Sequence, residues 1–302
     1  MKKNRLGTSD LFVSEIGLGC MSLGTDAARA VSILHEALDK GIDFFDTSDL
    51  YDRGLNEEII GKAFKGKRQK LILATKAGNR WEEGKSGWTW DPSKSYIKAA
   101  LKLSLKRLQT DYIDLFQLHG GTLDDPIDET IEAFEELKSE GWIREYGISS
   151  IRPNVIREYV NRSNIVSVMS QYSILDRRPE EEILPLLHEH GISLIARGPV
   201  AKGILSQRFS EKADQGYQDY QPEELTELVQ KLSPLTNETR SLAQLALRFP
   251  LSHPAVAAVI PGASSISQLE HNLAAGNLPP LTEDELDLIR RHSKANRYSA
   301  HR

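Results

Sequence analysis

The chain has one cysteine, Cys20, in 302 residues. No disulfide can form within it, and the sequence reads as that of a protein from a reducing compartment, the cytoplasm. No apolar run approaches the ~20 residues that a membrane helix needs. The opening Met1-Lys-Lys-Asn-Arg-Leu-Gly7 is basic, but no apolar segment follows it to make a secretory signal. Lysine and arginine are not clustered and the net charge is -5, which argues against nucleic acid as a partner. Metal-ligand spacing is also missing. His188-Glu-His190 precedes Gly191 at a helix end, where cationic side chains suit the dipole, and no further ligands accompany it. Asn161-Arg-Ser163 and Asn237-Glu-Thr239 match a glycosylation pattern that has no meaning in a cytoplasmic protein.

What is present is an alternation of short apolar runs with amphipathic stretches. Eight candidate strands lie near Ile16–Cys20, Ile42–Asp46, Leu71–Lys76, Ile113–Leu118, Ile143–Ile148, Ile165–Ser170, Ser193–Ala196 and Val256–Ile260. Most are apolar at consecutive positions, as strands buried on both faces are. Between them, Ile97, Ala100, Leu101, Ser104, Leu105 and Leu108 fall on one helical face, with Asp91 or Ser93 as cap and Pro92 in the first turn. Ile127, Ile131, Phe134 and Leu137 make a second stripe, stopped by Gly141. Thr282-Glu-Asp-Glu285 is a capping box opening a last helix to about His292.

Eight strands alternating with helices make either an open doubly wound sheet or a closed barrel. A dinucleotide-binding open sheet calls for Gly-x-Gly-x-x-Gly after the first strand, and Gly17-Leu-Gly19-Cys-Met-Ser-Leu-Gly24 has the wrong third spacing. The expectation is an α/β protein, a (β/α)8 TIM barrel spanning residues 1–302 as a single domain; such barrels typically take about 250 residues. An N-terminal hairpin within Arg5–Val13 and an extra C-terminal helix complete it. Two connections are long for a compact domain, Ala77 to Asp91 and Arg197 to about Asn237, and long connections are usually functional. Gly61-Lys-Ala-Phe-Lys-Gly66-Lys67-Arg68 nearly spells a P-loop, but it lacks the final Ser or Thr and ends a helix.

Four polar residues end or closely follow candidate strands: Asp46, Tyr51, Lys76 and His119. Adjacent parallel strands would gather them at one end of the sheet, where barrel active sites are built. Together they can hand a proton to a carbonyl oxygen. A phenol, with an ordinary pKa of about 10, gives up its proton slowly at neutral pH. A nearby ammonium favours the phenolate, so Lys76 would make Tyr51 the better donor. Asp46 would pair with Lys76, and His119 would orient the carbonyl. No side chain donates hydride, so a nicotinamide or flavin must.

The chain resembles the aldo/keto reductases, nicotinamide-dependent (β/α)8 barrels, over nearly its whole length. The stretches that carry the resemblance are Gly41-Ile-Asp-Phe-Phe-Asp-Thr-Ser-Asp-Leu-Tyr51, Leu73-Ala-Thr-Lys76, Asp111-Tyr-Ile-Asp-Leu-Phe-Gln-Leu-His119, Gly147-Ile-Ser-Ser150, Ser170-Gln-Tyr-Ser173 and Val259-Ile-Pro-Gly-Ala-Ser-Ser265. The resemblance implies that Asp46, Tyr51, Lys76 and His119 form the catalytic tetrad, in agreement with the reading from the residues.

It also implies a cofactor site. Gly19, Cys20, Met21 and Asp46 would line it at the first strands, and Ser149, Ser150 and Gln171 would hold the nicotinamide amide, with Ser150 standing where the family has Asn. Gly198, Pro199, Val200 and Gly203 would cover the pyrophosphate. Gly262, Ala263, Ser264, Gln268, His271 and Asn272 would hold the adenosine end at a helix start, a place that suits phosphate. Arg197 stands where an aromatic ring often stacks on the nicotinamide, and a guanidinium also stacks on flat rings. Ser264 replaces a common arginine near the 2′-phosphate, with Arg240 and Lys202 as other sources of charge, and His271 replaces a glutamate.

The implied cofactor is NADPH, with NADH the lesser alternative. The implied activity is reduction of small aldehydes or ketones by a monomer or weak homo-oligomer. Trp81, Trp88 and Trp90 sit in the first substrate loop, either as a wall for the substrate or as anchors for the loop. Two rival readings are an NADPH-binding regulatory subunit or redox sensor on the same barrel, and a barrel isomerase or lyase without nicotinamide.

Overall fold

The run Ile113–Leu118 is buried at all six positions, as a strand must be when helices cover one face and a barrel interior the other. That pattern recurs around the molecule. The computed structural model describes residues 1–302. It begins with β1 (Lys3–Arg5) and β2 (Phe12–Ser14), an antiparallel hairpin. Then follow β3 (Leu18–Gly19), α1 (Ala27–Asp39), β4 (Phe44–Asp46), α2 (Leu55–Ala63) and β5 (Ile72–Ala77). A small flap, β6 (Asn79–Arg80) with β7 (Thr89–Trp90), precedes α3 (Lys94–Leu108), β8 (Ile113–Leu118), α4 (Ile127–Ser139), β9 (Ile143–Ser149) and α5 (Pro153–Arg162). The rest comprises β10 (Ser167–Gln171), α6 (Ile183–Glu189), β11 (Ser193–Arg197), the single turn α7 (Phe209–Lys212), α8 (Pro222–Leu232), α9 (Leu242–Arg248), β12 (Val256–Ile260), α10 (Ile266–Ala274) and α11 (Glu283–His292).

Eight strands lie in the order β3-β4-β5-β8-β9-β10-β11-β12, every neighbouring pair parallel. The ring closes through parallel bridges of Ile16 with Val259 and Gly19 with Gly262. Gly17 N donates to Val259 O (2.9 Å) and Val259 N to Glu15 O (2.9 Å). The fold is the expected (β/α)8 TIM barrel with an N-terminal hairpin and an added last helix.

Two apolar clusters follow from the two-residue alternation of side chains along a strand. The larger fills the space between strands and helices. The smaller fills the barrel: Phe44, Ala74, Leu115, Met169, Ile195 and Ala258 from the strands, with Leu6, Leu11 and Val13 from the hairpin. The hairpin therefore plugs the N-terminal end. Asn4 Nδ2 donates to Ala257 O (2.9 Å) and Gly7 N to Ser193 Oγ (2.7 Å), which fixes it there. Two residues beyond the apolar layer, on the same face, stand Asp46, Lys76, Gln117, Gln171 and Arg197. The barrel is apolar at one end and polar at the other.

Local details differ from expectation at three places. Ser93 caps α3 by accepting from Tyr96 N, and Pro92 lies just outside the helix rather than in its first turn. The Ala77–Asp91 connection is organised by the β6–β7 flap. The connection after β11 contains α8, with Pro222 at its start and a capping box between Gln221 and Glu224. The near-P-loop segment is explained by packing. Gly61 lies inside α2, where a methyl group would sit well within contact distance of Arg107 O and 2.7 Å from Leu108 C. Gly61→Ala should therefore lower stability by about 1–3 kcal/mol despite the better helix propensity of alanine. A reduced denaturation midpoint with unchanged slope would show it, and an unchanged or raised midpoint would refute the close α2–α3 crossing.

Candidate active site

A buried lysine needs partners for its charge and its donors. Lys76, on β5, is 1% exposed. Its Nζ donates to Asp46 Oδ2 (2.8 Å), to Thr47 O (2.6 Å) and to Tyr51 Oη (3.4 Å), so all three donors are used. Asp46 reaches it from β4, the neighbouring strand, where Asp46 pairs in register with Ala74 and so lies two residues from Lys76. Burial pushes the Asp46 carboxyl up, while Lys76, Arg197 and Gln117 pull it back. Burial also opposes the Lys76 charge, but Asp46 and Tyr51 outweigh it and hold the ammonium above its ordinary value.

Tyr51 is not on a strand. It opens a short turn, Tyr51–Gly54, in which Asp52 (φ 48°), Arg53 (φ 54°) and Gly54 (φ 85°) are all left-handed. Two consecutive non-glycine residues in that region are costly and persist only where surroundings impose them. The segment leading into the turn is tied to α2, since Thr47 Oγ1 donates to Asn56 Oδ1 (2.7 Å), and α2 in turn to Cys20, Asn56 Nδ2 donating to Cys20 O (2.9 Å). Lys76 Nζ also stands 5.0 Å from the centre of the Tyr51 ring.

His119 follows β8, its ring 6.0 Å from that of Tyr51 and nearly perpendicular to it. Burial first, then the charges of Lys76 and Arg197, lower its pKa to about 3, so the imidazole is neutral. Asp46, Tyr51, Lys76 and His119 thus meet at one mouth of the barrel. Two contacts were absent from the reading of the sequence. The Thr47 carbonyl receives Lys76, and Ser48 Oγ lies 3.0 Å from His119 Nδ1. Neither shows in a sequence pattern, because the partners are 29 and 71 residues away.

Residues expected to hold a cofactor run around the same rim. Ser149 and Ser150 are buried at the end of β9, and Ser150 N donates to Met169 O (3.0 Å). Gln171 ends β10, paired in register with Arg197 of β11. Arg197 stands two residues beyond Ile195 on the barrel-facing side of β11, which places it at this mouth. Gly198 (φ 66°), Pro199, Val200 and Gly203 (φ 92°) begin the long connection, which folds back so that Tyr217 Oη accepts from Gln171 Nε2 (2.7 Å).

Past β12, Gly262 is bridged to Gly19. A side chain at Gly262 would overlap Ser22. Ala263 is buried, Ser264 N donates to Gln268 Oε1 (2.9 Å), and Asn272 Nδ2 donates to Gly262 O (3.2 Å). His271 Nε2 pairs with Ser241 Oγ at 2.7 Å. Cys20 is wholly buried and burial pushes its thiol up, while Met21 is 65% exposed. The donor set, in order around the rim, is hydroxyl, primary amide, guanidinium and the capped start of α10. That sequence of groups fits a carboxamide, a flat ring and phosphates. Arg240 is committed elsewhere, to Glu285 and to Leu235 O (2.7 Å), and Lys202 is exposed.

The three tryptophans separate. Trp81 is pinned to the mouth, its Nε1 donating to Asp49 O (2.9 Å). Trp90 anchors the flap: its Nε1 donates to Asp125 Oδ1 (2.8 Å) and its ring lies over Gly78 and Gly120. Trp88 is 55% exposed. No group of three or more His, Cys, Asp or Glu side chains could hold a metal ion, and no helix is long and apolar enough to cross a membrane.

Comparison with known proteins agrees with the architecture. Residues 15–294 match the model of the aldo/keto reductase family. The chain is 58% identical to the Bacillus subtilis protein called uncharacterized oxidoreductase YqkF, with 100% of both chains covered. It superposes on the holo form of aldo-keto reductase AKR11C1 from Bacillus halodurans with a TM-score of 0.96 and 60% identity, covering 100% of this chain and 99% of that one. The apo form of AKR11C1 gives 0.87 and 56% with the same coverage. This chain belongs to the aldo/keto reductase family and is an oxidoreductase.

Proposed function

We propose that the protein is an NADPH-dependent reductase of small aldehydes and ketones, with Asp46, Tyr51, Lys76 and His119 as its catalytic residues. The observation that carries the reading is the buried Lys76 ammonium, held by Asp46 and aimed at the Tyr51 hydroxyl. A reduced nicotinamide, when bound, supplies the hydride. Tyr51 protonates the carbonyl oxygen, and the phenolate left behind is met by the Lys76 ammonium. Asp46 keeps that ammonium in place and charged. His119, being neutral, steers the carbonyl by hydrogen bonding without competing as a cation.

Ser149 and Gln171 would orient the carboxamide, with Gln171 released from Tyr217. Arg197 would lie against the ring. Gly198 to Gly203 would cover the pyrophosphate. Ser264, Gln268, His271 and Asn272 would receive the adenosine end, and the hydroxyls and backbone at the start of α10 would meet a 2′-phosphate. Similarity to a relative solved in a holo form supports the reading of a barrel that takes a cofactor. Trp81 gives the substrate an apolar neighbour. The compartment is proposed as the cytoplasm, where a lone buried thiol is at home, and the working form as a monomer or weak homo-oligomer.

Tyr51→Phe should keep NADPH affinity, read by fluorescence titration, while NADPH oxidation with aldehydes falls by about 10²–10⁴-fold. Full turnover in that variant would remove Tyr51 from its role. Lys76→Met should lose turnover similarly and also lose stability, by about 3–5 kcal/mol, because Asp46 is left buried without its partner. An unchanged thermal midpoint would contradict the pairing. Arg197 should favour the neutral reduced ring over the cationic oxidised one by about 1 kcal/mol, roughly a fivefold ratio of dissociation constants. Equal constants for NADPH and NADP+ would place the guanidinium away from the ring.

A further inference from the structure

Ser48 has one hydroxyl proton and two competing partners of chemical interest. Its Oγ lies 3.0 Å from His119 Nδ1 and 3.2 Å from Asp49 Oδ1. It also accepts from Leu50 N (3.2 Å) and has Lys76 O at 3.4 Å. Asp49 is 2% exposed, yet neither its carboxylate nor Ser48 has a part in the mechanism above. We propose that Ser48 and Asp49 are positioning residues that choose which ring nitrogen of His119 carries the proton. The protonation of Asp49 then decides whether Nε2 donates or accepts at the substrate oxygen. This rests on the reading of His119 as the group that orients the carbonyl.

The two states follow from donor and acceptor counting. With Asp49 ionised, its carboxylate can only accept, so Ser48 donates to Oδ1. Ser48 Oγ then accepts from His119 Nδ1–H, and Nε2 is left with a lone pair. With Asp49 protonated, the carboxyl donates to Ser48 Oγ, Ser48 donates to Nδ1, and Nε2 carries the proton. The chain of transfers balances. One proton enters at Nε2, the Nδ1 proton passes to Ser48 Oγ, and the Ser48 proton passes to Asp49. A carbonyl oxygen needs the donor form, and an alcohol hydroxyl suits the acceptor form.

The surroundings place this exchange in a useful range. Glu57 of α2 faces Asp49 and is itself held by Arg107 Nε (2.6 Å) and Thr75 Oγ1 (2.6 Å). Arg107 and Tyr96 face it from α3, Tyr96 Oη donating to Asp49 Oδ2 at 3.4 Å. Trp81 Nε1 binds its carbonyl from the flap loop, and Asp49 N donates to Lys76 O (3.2 Å) on β5. Burial, then Glu57, push the carboxyl up to about 7, against Arg107, Ser48 and Tyr96. His119 stays uncharged across this range, so only its tautomer changes.

The test is ¹⁵N NMR of the full chain labelled at histidine, with the His119 signals identified by their loss in His119→Gln. Between about pH 5 and pH 9 the protonated nitrogen should move from Nε2 to Nδ1, with a midpoint near that of a raised carboxyl. Asp49→Asn and Ser48→Ala should each leave the tautomer ratio independent of pH. In the wild type the rate of carbonyl reduction should fall on the alkaline side of that midpoint, and the inflection should vanish in Asp49→Asn. If Asp49→Asn fails to fold, Ser48→Ala, which loses only a hydroxyl, carries the comparison. A wild-type tautomer fixed across the range, or an exchange that persists in the variants, overturns the proposal. The shifts are read without turnover. Absence of NADPH oxidation would sink the reductase reading alone, and a fixed tautomer with full turnover would sink this one alone.

Discussion

A positive charge is held in the interior of this barrel, and most of the site exists to keep it there. An ammonium moved out of water without partners costs several kcal/mol or loses its proton. Lys76 avoids both because three acceptors converge on it from one strand and the loop that follows: Asp46, Thr47 O and the Tyr51 oxygen. Closing the sheet makes this possible. β4 and β5 lie side by side in a register that puts Asp46 one same-face step from Lys76. The layer beneath is apolar and capped by the hairpin, so the charges act across a medium that screens them little.

The helices hold the site from outside. Glu57 on α2 links Thr75 of β5 to Arg107 of α3 through two 2.6 Å hydrogen bonds. Asn56, the preceding residue, ties the Tyr51 loop to Cys20. Gly54 and Gly61 let α2 and its entry turn press against Arg107 and Leu108 without an intervening side chain. The left-handed residues Asp52 and Arg53 lie between these fixed points, and the turn they make sets where the Tyr51 ring points.

The barrel was legible in the sequence because its strands are short and apolar, and because Asp46, Lys76 and His119 lie at or just after the ends of three of them, in a barrel that gathers strand ends at one face. The last helix was legible from its capping box. α8 escaped although Gln221, Pro222 and Glu224 mark its start and Leu225, Leu228 and Leu232 form its buried stripe. A long connection read as a loop hid a periodicity that was there to find. Trp90 illustrates a different limit. Three tryptophans in one loop look alike in sequence, but Gly78 and Gly120 decide that this ring packs as an anchor, and Gly120 is thirty residues further along the chain. The role of Ser48 was hidden for the same reason, its partner being 71 positions distant.

The neutrality of His119 follows first from its burial, which strips a charged imidazole of water, and then from Lys76 and Arg197, which would repel a third positive charge. The mouth then presents Asp46 against Lys76 and leaves Arg197 as the surplus charge, a balance suited to an oxygen that gains negative charge as hydride arrives. A neutral ring must carry its one proton on one nitrogen or the other. Once charge is excluded, the variable left to the protein at this position is the tautomer, and the tautomer is set by whatever lies on the far side of the ring. Here that is a serine hydroxyl shared with a buried carboxyl, which makes the second layer of the site part of its chemistry.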